Sequence, residues 1–223
     1  ITEHGILPHE AGVRGDQAAL KLKKKFLLRS ILFWLNKGIA RIFIFVSGPD
    51  KNNEGMGMLL AKCRELREPR PEDQLDRWLS PALLALRRGL RRFEGAKPIA
   101  HTRAFDLKYA WLGPERKVFE MPPGKPTLRY RDLVAVLPFQ LDGRRFVFAY
   151  YLMSPNYNIE DMPEATCRLS IAPLRAERAT LACYDPLADR KIEVKVVERR
   201  RDALVVDLPT VDTPRLLTIQ ERN

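Results

Sequence analysis

The sequence predicts two fold classes in tandem, α/β over residues 1–97 and all-β over residues 98–223. Three observations lead there. A short apolar segment bearing Glu3 is followed by helical periodicity over residues 16–37 and then by a continuously apolar run over residues 42–46. Near Pro98 the apolar spacing changes from three-to-four residues to two. Beyond it, short alternating segments recur between turn residues, the pattern of an antiparallel β-sandwich.

The first helix carries apolar residues at Ala19, Leu22, Phe26, Ile31, Trp34 and Leu35, widened by Leu20, Leu27 and Leu28. Asp16 is placed to cap its start, and Gly38 to follow its last turn. The apolar run 42–46 suits a parallel strand buried on both faces. A glycine-rich loop follows over 47–57, then a charged, proline-broken stretch over 64–77. Ser80-Pro81 reads as a cap and first residue opening a second helix to Phe93, with Leu83, Leu86, Leu90 and Phe93 facing inward. In the second half, strands are predicted over 128–138, 145–153, 165–171, 180–184, 191–197, 203–208 and 215–220. Asp142-Gly143 marks a hairpin turn.

Composition narrows the function classes. A 45% hydrophobic content over 223 residues is that of a folded globular chain of one large or two small domains. No apolar stretch reaches the roughly 18 residues needed to span a bilayer, so no membrane partner is expected. The chain starts at Ile1 without a methionine or an earlier strand, and reads as the back part of something larger. Cys63, Cys167 and Cys183 form no disulfide framework and have no metal-ligand spacing, so they read as free buried thiols. The net charge of +11 invites a nucleic-acid reading. Its distribution argues against one, because the basic runs are scattered and interleaved with Glu65, Glu68, Glu72, Asp73 and Asp76. Arginine (26) at twice the number of lysines (13), with few amides, fits a heat-adapted source.

Taken in order, these segments resemble a known family. Ile1-Thr2-Glu3-His4-Gly5 resembles the seventh-strand motif of clan A glycoside hydrolases, the retaining β/α-barrel glycosidases, in which a glutamate in such a context is the nucleophile. The helix over 16–37 and the run from Gly38 look like the next helix and strand. Ser80-Pro81-Ala82-Leu83-Leu84 looks like the final barrel helix, and the tail through residues 203–220 resembles the β-sandwich that follows many such barrels. The resemblance implies the last two β/α units of a TIM-type (β/α)8 barrel over residues 1–97 and a β-sandwich accessory domain over 98–223.

That family hydrolyses β-linked glycosides with two carboxyl groups about 5 Å apart. The resemblance implies Glu3 as the nucleophile and an acid/base carboxyl that lies outside this chain. His4 and His9 flank Glu3 and are candidates for binding substrate, as are Ser47, Asp50, Asn52 and Glu54 in the glycine-rich loop. In the second half, Trp111, Tyr150, Tyr151 and Tyr157 are a stacking face for sugars or, as alternating strand aromatics, core. No metal or organic cofactor is implied. The partners implied are a carbohydrate substrate and the missing barrel residues, from the same gene, a second chain or a second copy. Two other classes stay open: a non-hydrolysing carbohydrate-binding or scaffolding module, and a basic nucleic-acid binder.

Overall fold

The computed structural model describes residues 4–44, 57–60, 77–115, 117–119, 123–124, 126–153 and 162–222. They fall into two compact units, one running up to Leu90 and the other from Arg91 onward.

The first unit is built on two helices, α1 (Asp16–Asn36) and α2 (Pro81–Leu90), which pack on each other. Gly15, at φ +89°, is the residue that precedes α1, and Asp16 is already helical rather than capping it. The far end closes as the spacing predicts. Gly38 adopts φ +78°, its N–H donates to Leu35 O at 3.0 Å, and Ile39 N–H reaches Trp34 O at 3.1 Å. These two bonds form a Schellman motif, which needs the left-handed residue that glycine supplies without strain. Ser80 accepts from Leu83 N–H at 3.4 Å at the start of α2, with Pro81 as the first helical residue. The buried face of α2 is Ala82, Ala85, Leu86 and Gly89, while Leu90 is left exposed. The inward stripe is therefore one residue off the expected one.

Burial on α1 extends beyond its apolar stripe. Lys23 is fully buried and its ammonium donates to Gly57 O at 2.9 Å, and Lys25 is buried as well. Residues 57–60 in turn pair with the chain before α2: Leu59 bridges Leu79 antiparallel, Ser80 N–H donates to Met58 O, and Leu60 N–H to Trp78 O.

The barrel expectation is overturned. Among the described residues there are two α-helices and eleven strands, every strand pairing in the sheets is antiparallel, and no strand–helix unit repeats. Among the described residues parallel pairing is limited to one bridge, His4 to Ile44. The described part of the predicted strand 42–46 forms only that bridge, and Phe43 is 59% exposed. An apolar run becomes a doubly buried parallel strand only when neighbours flank it on both sides. Among the described residues a single residue, His4, pairs with it.

The second unit is mostly β. Its four-stranded sheet has the order β1 (Asp106–Trp111), β6 (Ala165–Ala172), β10 (Leu204–Thr210), β9 (Lys195–Arg199). Its five-stranded sheet has the order β4 (Val134–Gln140), β5 (Arg145–Leu152), β11 (Arg215–Gln220), β7 (Thr180–Asp185), β8 (Arg190–Ile192). A short pair, β2 (Lys117–Phe119) with β3 (Leu128–Arg129), stands apart. The two large sheets share one core. Phe146, Phe148, Tyr150, Leu217 and Ile219 from the five-stranded sheet meet Leu169, Ile171, Leu204, Val206 and Leu208 from the other. These residues alternate along their strands, so one face of each sheet supplies this core. In the β4–β5 hairpin, Asp142 Oδ1 accepts from the N–H groups of Arg144 and Arg145, both at 2.8 Å, so the aspartate builds the turn. The predicted strand 128–138 is interrupted by a 3₁₀ turn at Tyr130–Leu133.

Candidate functional site

The segment around His4 is the first place to look for chemistry. His4 pairs with Ile44 in parallel, and α1 is the connection between them. The imidazole stacks on Phe26 of α1 with ring centroids 5.2 Å apart. Its Nε2 lies 2.6 Å from Ser30 Oγ, which itself donates to Phe26 O at 2.7 Å. A hydroxyl has one proton to give. With that proton directed at the carbonyl, Ser30 accepts from His4 Nε2–H, which assigns Nδ1 as the acceptor nitrogen. Burial pulls the His4 pKa below its ordinary value, so the ring is neutral at pH 7 and suits this tautomer. His4 is thus an anchored, uncharged ring that fixes its backbone against α1. A direct contact to sugar, as the sequence suggested, would use Nδ1 alone.

His9 lies exposed in the turn over residues 8–12, outside this cluster. The other candidate residues, Glu3, Ser47, Asp50, Asn52 and Glu54, lie outside the described residues.

Two members of the aromatic set, Tyr150 and Tyr151, are core. Tyr150 and Tyr151 are 1% and 3% exposed, which leaves no ring face for a ligand. Trp111 donates its Nε1–H to Pro114 O at 3.2 Å and meets Tyr130 edge-on. It also lies over Gly113, where a Cβ would sit 2.9 Å from the indole. Tyr157 is outside the described residues.

Sequence reasoning missed a buried polar cluster in the β unit. Arg215, 3% exposed at its side chain, donates to Pro209 O at 2.6 Å and pairs with Glu164 at 2.7 Å and Asp185 at 3.4 Å. Beside it, Tyr150 Oη and Cys183 Sγ are 3.2 Å apart. Burial pushes both acids up, the tyrosine strongly, so both stay protonated at neutral pH. Neither is a nucleophile in that state, and the cluster works as a hydrogen-bonded part of the core. Cys167 is also free and buried, its thiol pushed up to about 11 by burial and then by the Asp207 charge. Native protein at pH 8 is therefore expected to leave Cys167 and Cys183 unmodified by a disulfide reagent, and urea to expose both. Peptide mass mapping checks this, and labelling of either thiol before unfolding would contradict it.

Compared with protein-family models, curated proteins and solved structures, the chain matches none. Among the described residues no group of three His, Cys, Asp or Glu side chains is placed to hold a metal ion, and no helix is long and apolar enough to cross a membrane.

Proposed function

We propose that the chain is part of a retaining glycoside hydrolase acting on β-linked glycosides, with Glu3 as the nucleophile. What supports the reading is the parallel pairing of His4 with Ile44 across α1. His4 follows Glu3 in the chain, and Ile44 comes shortly before Ser47, Asp50, Asn52 and Glu54. In α/β arrangements, ligands gather where such paired segments end. The neutral, anchored His4 holds its own backbone against α1.

The chemistry needs two carboxyl groups. The Glu3 carboxylate attacks the anomeric carbon as the glycosidic C–O bond breaks, and the departing oxygen takes a proton from a carboxylic acid. Water then gives its proton to that same carboxylate, attacks the anomeric carbon and releases Glu3, with net retention. The reading therefore requires a second carboxyl about 5 Å from Glu3 to serve as the acid/base.

Activated 2-deoxy-2-fluoro-β-glycosides with a dinitrophenolate leaving group test the nucleophile separately, since that group departs without protonation. A panel in the gluco, galacto, manno and xylo series is expected to yield one fluoroglycosyl ester, located on the peptide containing Glu3 and absent in Glu3→Gln. An ester on another residue, or unmodified protein across the whole panel, would remove Glu3 from the mechanism.

A further inference from the structure

The second unit carries a cleft of about 830 Å³ lined by five arginines, Arg103, Arg175, Arg178, Arg201 and Arg222. We propose that this cleft binds acidic oligosaccharides, sugar chains that carry carboxylates on their rings. The proposal concerns a different unit from Glu3 and does not rest on the hydrolase reading.

The walls come from parts of the chain that the β topology brings together. One is the 173–178 connection between β6 and β7, and another is the turn at Arg201 and Asp202 between β9 and β10. Leu174 N–H donates to Asp202 O at 2.7 Å and ties these two together. Arg199 clamps the connection from behind, its Nη1 reaching Ala176 O and Ala179 O, both at 2.7 Å. Glu221, buried at 3% exposure, holds the floor. It accepts from Arg103 Nη1 at 2.5 Å and from Arg175 N–H at 2.8 Å. Burial alone would raise its carboxyl, but the Arg103 and Arg175 bonds outweigh that and keep it below the ordinary range. Its charge is directed at Arg103, whose guanidinium also lies 4.6 Å above the Phe146 ring. The remaining four arginines are exposed. A cleft held by backbone bonds loses little freedom on binding, which favours a ligand over random surface attraction.

The charge and the donor pattern together select the ligand. With Arg103 paired to Glu221, four exposed arginines against two lining carboxylates, Glu177 and Asp202, still concentrate positive potential in one concave place. Guanidinium groups match a carboxylate in shape and take it through two parallel bonds. Glu177 and Asp202 accept only, so the ligand must also bring donors. A uronate chain has both, a carboxylate for the arginines and ring hydroxyls for the acids. A DNA backbone offers no donor to these acids, and no aromatic lines the cleft to stack a base. The cleft volume suits a short saccharide segment.

Isothermal titration of the whole chain at fixed salt tests this with three probes: tetragalacturonate, an uncharged β-glucan tetramer and a single-stranded DNA 12-mer. Tetragalacturonate is expected to bind, with the neutral tetramer and the DNA at least about tenfold weaker. Arg175→Gln/Arg201→Gln is expected to lose about tenfold or more. Arg190→Gln/Lys195→Gln removes the same charge from exposed positions on β8 and β9 outside the cleft, and is expected to stay within about twofold. Thermal melts confirm that both variants fold. Equal losses in the two variants, tighter binding of the DNA, or no binding of tetragalacturonate would each overturn the proposal.

Discussion

Replacing Arg215 with methionine is expected to destabilise the β unit by about 3–5 kcal/mol, the range for breaking a buried ion pair. Arg215 lies at the start of β11, 3% exposed, with its guanidinium divided among Asp185, Glu164 and the carbonyl of Pro209. Glu164 is half exposed and returns to water at little cost, so the effect concentrates on Asp185. That carboxylate is 7% exposed at its side chain, and its Oδ1 already accepts from Leu187 and Ala188 N–H groups. Without the guanidinium, Oδ2 is a buried charge with no counter-ion. Urea unfolding reads the change as a lower midpoint at unchanged slope. The double variant Arg215→Met/Asp185→Asn is expected to recover a large part of the loss, because the amide removes the charge and retains an acceptor for the turn. A single-variant cost under about 1 kcal/mol would show that the network is ornamental to stability.

Phe148→Ala is expected to cost a similar amount, about 3–5 kcal/mol. Phe148 sits mid-strand on β5 between Pro138 of β4 and Leu217 of β11 and is fully buried. Together with Phe146 it flanks Phe105, each ring centroid 5.2 Å from that of Phe105. Truncation removes one side of this aromatic contact and opens a cavity in the core the two sheets share. Phe148→Leu, which retains most of the volume, is expected to cost clearly less. Calorimetric melts of both variants check the order, and equal losses would indicate a site that collapses freely around any smaller side chain.

Much of the β unit was legible in the order of its residues. The period of two over 180–184, 203–208 and 215–220 forecasts β7, β10 and β11 to within two residues, and Asp142-Gly143 forecasts the β4–β5 turn. Strand β1 was not legible: it is an edge strand paired only to β6, exposed or half-buried along its length, so its alternation is weak. The helix ends were legible where glycine decided them, as at Gly38. The first-half fold was misread because an apolar run such as residues 42–46 has the same composition whether strands flank it or not. Of the candidate site, only His4 and His9 fall among the described residues. The tie of His4 to Ser30 joins residues twenty-six positions apart and left no local signal.

Period, turn chemistry and helix caps are properties of neighbouring residues, and the sequence by itself determined them here: where strands alternate, where the Asp142 turn falls, where α1 stops at Gly38 and where α2 starts at Pro81. Only the tertiary structure decided which strands are neighbours, and with that which charges are buried. Lys23 is buried on α1, where Gly57, thirty-four residues away, offers its ammonium a carbonyl. Arg215 is buried because Asp185 and Pro209 converge on it. The arginine cleft exists because sheet order brings positions 103, 175, 201 and 222 to one place. Desolvating a charge is tolerated only where a partner offsets it, and such partners are fixed by topology rather than by the residues alongside in the chain.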